Sequence, residues 1–139
     1  MSPKTSRLAA PIAAVALALG LAACGNTSST GNYKGEEAKV AEVISNLQKD
    51  ATAIEAKKVC KNDLSAAVDK RLEAKGSTCV KALEGQLKEI DTYSMTVTSV
   101  SVKDSSATAE VKSTWGGKEE VRTLNFVKEA GGWKLDSLS

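Results

Sequence analysis

Tyr93-Ser94-Met95-Thr96-Val97-Thr98-Ser99-Val100-Ser101-Val102 sets an apolar side chain at nearly every second position, the period of a strand buried on one face. The phase breaks once. Tyr93, Met95 and Val97 share one face while Val100 and Val102 take the other, which predicts a bulge near Thr98-Ser99. Asp104-Ser105-Ser106 then turns the chain, and Ala107, Ala109, Val111, Ser113 and Trp115 alternate through a second strand. Gly116-Gly117 is a hairpin signal. A third strand is expected from Val121 to Lys128, with Leu124 and Phe126 on one face, and Gly131-Gly132 turns into a fourth over Trp133–Leu138.

Upstream of Asp91 the period is helical. Val40, Val43, Ile44, Leu47, Ala51 and Ile54 recur at helix spacing from Glu36 to about Ala56, with Glu36 and Glu37 suited to the positive end of the helix dipole. A second helical stretch runs from about Lys57 to Lys75, where Ser65 is a candidate cap dividing it in two. Gly76 ends it, and Ser77 or Thr78 caps a third through Cys79, Leu83, Leu87 and Ile90. Three N-terminal helices before four antiparallel strands make an α+β pattern.

The first 24 residues differ in composition from the rest. Lys4 and Arg7 precede an apolar run from Leu8 to Leu21, the order of a secretory signal. The run is short for a spanning helix, which needs about 20 apolar residues. Leu21-Ala22-Ala23-Cys24 follows directly and resembles the bacterial lipobox. That resemblance implies cleavage of residues 1–23, a diacylglyceryl group on Cys24, and attachment to the extracytoplasmic face of the cell membrane. Residues 24–35 are then a lipidated cysteine and a polar tether, too poor in apolar side chains to support a core, with Tyr33 free to rest on the domain or the membrane. Lys4 and Arg7 are two of the 19 basic residues, and none of the 17 acidic ones precedes Cys24, so the remainder is electrically balanced. A balanced, exported chain is a poor partner for nucleic acid.

From Glu36 to the end, the element order resembles the nuclear transport factor 2-like superfamily, in which helices close a cone against a curved antiparallel sheet. The likeness is sharpest in Val127-Lys128-Glu129-Ala130-Gly131-Gly132-Trp133-Lys134-Leu135-Asp136, similar to that superfamily's last turn and strand. Val59-Cys60, Leu64-Ser65 and Cys79 also resemble small exported actinobacterial members. The resemblance implies residues 36–139 as one domain, with a sheet shorter than usual by an early strand pair. The superfamily's enzymes place Asp, Tyr or His inside the cone for proton transfer. The candidates here are Asp50, on the stripe between Leu47 and Ile54, and Tyr93 at the start of the first strand. An edge carboxylate for Asp50 and an ordinary core tyrosine are the competing readings.

With Cys24 assigned to lipid, Cys60 and Cys79 remain as an even pair in an oxidising compartment. A disulfide between them would close a loop of about 20 residues; two buried free thiols are the alternative. The chain has no histidine, which removes Ser-His-Asp and Cys-His mechanisms and the commonest metal ligand. Gly116-Gly117 belongs to a hairpin, so no phosphate-binding glycine loop is present, and no metal or cofactor is expected. At 139 residues the chain is too short for a two-lobed solute-binding architecture. The acidic pair Glu119-Glu120 reads as a solvated strand end, and the predicted interior is aliphatic apart from Phe126. Three functions fit: a tethered module binding an apolar small ligand or an envelope protein, a small isomerase, dehydratase or cyclase using Asp50 and Tyr93, or a structural envelope lipoprotein.

Overall fold

The structure, a computed structural model, describes residues 32–89, 93–115 and 117–138. Cys24, the signal segment and most of the tether lie outside the described residues, as do Ile90 and the side chains of Tyr93 and Trp115. The order is α1 (Gly35–Thr52), α2 (Ala56–Lys58) running into a π-helical turn (Val59–Asp63), α3 (Ala66–Glu73), α4 (Cys79–Lys88), then β1 (Tyr93–Lys103), β2 (Ser106–Trp115), β3 (Lys118–Glu129) and β4 (Gly132–Leu138).

Four helices stand where three were expected, because the second predicted stretch divides before Ser65, its candidate cap, while the first ends early. The first ends at Thr52 rather than Ala56. Ile54 takes φ 58°, a left-handed conformation that is strained for a β-branched residue, and the backbone N–H of Glu55 closes the turn on the Asp50 carbonyl. That turn swings Ile54 off the apolar stripe and leaves it 46% exposed, against the interior place its spacing suggested. The second stretch breaks at Leu64, which is extended, and Ser65 caps α3 by accepting from the Val68 N–H. Gly76, at φ 79°, ends the region, and the Thr78 hydroxyl accepts from the Lys81 N–H to open α4.

The curved sheet runs β1-β2-β3-β4, each neighbour antiparallel. Register slips between Val97 and Ser99, where the phase of the sequence changes. β3 begins three residues earlier than expected. The tight turn pairs Trp115 with Lys118, so pairing continues down to the loop and draws the charged residues 118–120 into the strand. A second shift lies between Asn125 and Phe126, opposite Asp136 in β4.

One main core lies between α1 and the sheet. Val40, Ile44 and Leu47 cluster with Val97, Ala109 and Phe126, and Tyr33 packs against the same cluster from the start of the described chain. Burying side chains of this size contributes about 1.5–3 kcal/mol each. The closing hairpin is tied to the first turn of α1. Glu36 accepts from the Trp133 indole N–H at 2.7 Å and from Lys128 at 2.9 Å, while Lys128 stands 5.7 Å over the Trp133 ring. A bond from Lys39 at 2.7 Å, then those from Lys128 and Trp133, hold the Glu36 carboxyl well below its ordinary 4.5, at about 2. The edge of β4 is covered locally: Leu64 bridges in parallel to Leu135, and the Ser65 N–H donates to the Leu135 carbonyl.

Candidate binding cavity

Cys60 closes the π turn onto α4 through a disulfide with Cys79, Cα atoms 6.1 Å apart and 19 residues apart in sequence. This bond decides between the bridge and the two free thiols. Together with the Leu64–Leu135 bridge it anchors the π turn on both sides, to α4 and to β4.

Beneath this anchored turn lies a cavity of about 380 Å³, within the roughly 300–1,000 Å³ usual for small-molecule sites. Leu47 and Ala51 line it from α1, Val68 and Leu72 from α3, and Leu83 and Leu87 from α4. Met95, Leu124 and Leu135 form its floor on the sheet. These aliphatic walls follow from the helical spacing, since each pair sits on one helix face.

The polar lining residues are Arg71 of α3, Gln86 of α4, and Asp136 and Ser137 of β4. Arg71 donates to the backbone carbonyl of Asp136 and lies 3.9 Å from its carboxylate, which also accepts from the Ser65 hydroxyl at 2.8 Å. Ser65 is fully buried and so serves twice, as the cap of α3 and as a donor to β4. The chain therefore fixes Arg71 and Asp136 against each other.

At Leu124 and Leu138, which face each other across β3 and β4, the cavity meets a second hollow of about 540 Å³. Its remaining walls are Val111, Ser113, Lys118, Glu120 and Arg122. The register explains the mixture. Ser113 pairs with Glu120 and Val111 with Arg122, so the core-facing phase of β3 runs outward from Leu124 through Arg122, Glu120 and Lys118, beyond the cover of the helices. Arg122 bonds Glu120 through two nitrogens, at 3.0 and 2.6 Å.

Asp50 is buried, 8% exposed, but lines neither hollow. It adjoins a carboxylate that the sequence reading passed over, Asp63 in the π turn. Asp63 is 2% exposed, and its Oδ2 has no hydrogen-bond partner among the described residues. Burial, then the neighbouring Asp50 charge, push its carboxyl from 3.8 up to about 6 against the opposing pull of Lys134. Lys134 itself donates to the carbonyls of Lys61 and Asn62 at the end of the π turn. Tyr93 opens β1 opposite Trp115, with its side chain outside the description. Sequence reasoning also missed Arg71, Lys118, Arg122 and Asp136; only the strand phase continued backward from Leu124 pointed to any of them. Among the described residues, no three His, Cys, Asp or Glu side chains gather to hold a metal ion.

No family model matches the chain, and no curated protein does. Among solved structures it is similar to a chain named Rd1NTF2_05 carrying five substitutions, at 17% identity and TM-score 0.51, covering 76% of this chain and 98% of that one. It is also similar to a Campylobacter jejuni chain provisionally assigned as an NTF2-like transpeptidase, at 14% identity and TM-score 0.47, covering 69% and 95%. The helices, the curved four-stranded sheet and the first of these likenesses agree: the chain has a nuclear transport factor 2-like α+β fold.

Proposed function

We propose that the chain is a lipoprotein, tethered by Cys24 to the extracytoplasmic face of the cell membrane, whose folded domain holds a small apolar ligand. The aliphatic cavity of about 380 Å³ carries the binding half of this reading. Displacing poorly held water from such walls favours an apolar guest. The anchoring half rests on the basic segment, the apolar run and Leu21-Ala22-Ala23-Cys24. In a Cys24→Ala chain, uptake of labelled fatty acid should cease; equal labelling of both chains would refute the anchor.

For binding, the neutral fluorophore N-phenyl-1-naphthylamine should brighten on the full chain. Val68→Phe projects a ring into the cavity from half-buried α3 and should abolish that signal while the far-UV dichroism stays unchanged. An undiminished signal in the variant would refute the cavity as the site. A proton-transfer enzyme built on Asp50 and Tyr93 is the second reading. It draws support from the burial of Asp50 and the second carboxyl at Asp63, but neither carboxyl lines the cavity, and the binding reading is the stronger.

A further inference from the structure

We infer that the ligand is an amphiphile with one acyl-sized apolar tail and an anionic head, the head held at Lys118 and Arg122; this deepens the proposed binding function and rests on it. The two hollows adjoin, with Leu124 and Leu138 lining both, and the proposed ligand spans them. One hollow is aliphatic and walled by helices. The other carries two cations against the single carboxylate of Glu120. A methylene takes about as much room as a liquid water, ~30 Å³, so the aliphatic hollow accepts roughly ten. Leu138, 58% exposed, gives the tail an apolar lip where it leaves that hollow.

Charge decides the head. Lys118 Nζ has no ion pair or hydrogen bond among the described residues, and Arg122 directs two nitrogens at one oxygen of Glu120, keeping its other terminal nitrogen uncommitted. Arg71, on the α3 side of the aliphatic hollow, is already engaged with both the carbonyl and the carboxylate of Asp136. An anionic group beside Lys118 and Arg122 therefore meets net positive charge, and one beside Arg71 meets a neutralised pair. Carboxylate and phosphate heads share this chemistry, whether from free fatty acids or single-chain lysophospholipids of the membrane.

The test displaces N-phenyl-1-naphthylamine from the full chain with dodecanoate, dodecanol and dodecyltrimethylammonium, which differ only in the head. Dodecanoate should displace it at about tenfold lower concentration than dodecanol, with the cation weakest. Lys118→Gln combined with Arg122→Gln should erase the preference and leave dodecanol displacement unchanged, whereas Arg71→Gln should keep it. Equal displacement by dodecanoate and dodecanol would overturn the inference, as would a preference that disappears in Arg71→Gln but survives the double substitution. Either result leaves apolar binding intact, whereas failure of the probe to bind at all refutes the proposed function instead. Vesicles carrying labelled lysophosphatidylglycerol separate the sources. Transfer of the labelled lipid to the chain supports a single-chain membrane phospholipid, and dodecanoate binding without transfer supports a free fatty acid.

Discussion

Replacing Asp63 with asparagine should stabilise the protein at neutral pH and lose that advantage in mild acid. The side chain is 2% exposed, one oxygen has no partner among the described residues, and the buried Asp50 adds like charge. Its carboxyl stands near 6 in the folded chain against an ordinary 3.8. The folded state thus holds the proton more tightly than the unfolded one, and stability falls as pH rises from about 4 through about 6. At about 1.4 kcal/mol per unit, keeping Asp63 ionised costs the fold on the order of 3 kcal/mol above that window. Asparagine keeps the shape without the charge, though its amide must still find partners. The expected gain is therefore about 1–3 kcal/mol at pH 7.5, shrinking to nothing near pH 4, where wild-type Asp63 is already protonated. Urea unfolding followed by tryptophan fluorescence, in steps from pH 4 to pH 8 with the disulfide intact, measures both. A stability difference that does not change with pH would refute the reasoning, since only the titrating carboxyl distinguishes the two chains.

Glu36 should behave in the opposite sense. Its carboxyl is held near 2 rather than 4.5, so the stability it contributes is present above pH 4.5 and lost as pH falls towards 2; Glu36→Gln should be destabilised at pH 6 and match wild type near pH 2 in the same urea series. Ser65→Ala removes the α3 cap and orphans a hydrogen bond to Asp136, which should cost about 1–3 kcal/mol and lower the thermal midpoint. Replacing Cys60 and Cys79 together by serine should cost roughly 3 kcal/mol through the reopened loop, and a reducing agent should produce the same loss in wild type while leaving the variant unmoved.

The order of elements was legible in the sequence wherever a signal is local. Alternation located the strands, the phase change located the bulge at Val97/Ser99, and Ser65, Gly76 and Thr78 marked helix ends because caps act over three or four residues. Cysteine parity pointed to the Cys60–Cys79 bond without deciding it. The closing hairpin was recognisable as a pattern, but its ties to Glu36 span more than 90 residues and have no period to betray them.

Tertiary structure decided the rest. Helical spacing placed Ile54 inside, yet the turn at Ala53-Ile54 set it outside, because one left-handed residue rotates everything after it. Nothing around Asp63 in the sequence announces burial. That comes from the bridge of the next residue, Leu64, to Leu135 on a strand 71 residues away, which closes solvent off from the π turn. The cavity is likewise invisible in any one segment: it is the space left when α1, α3, α4 and the sheet meet, a difference of volumes between distant elements. Periodicity reports which face of an element turns inward, and only the packed chain shows whether that interior is filled.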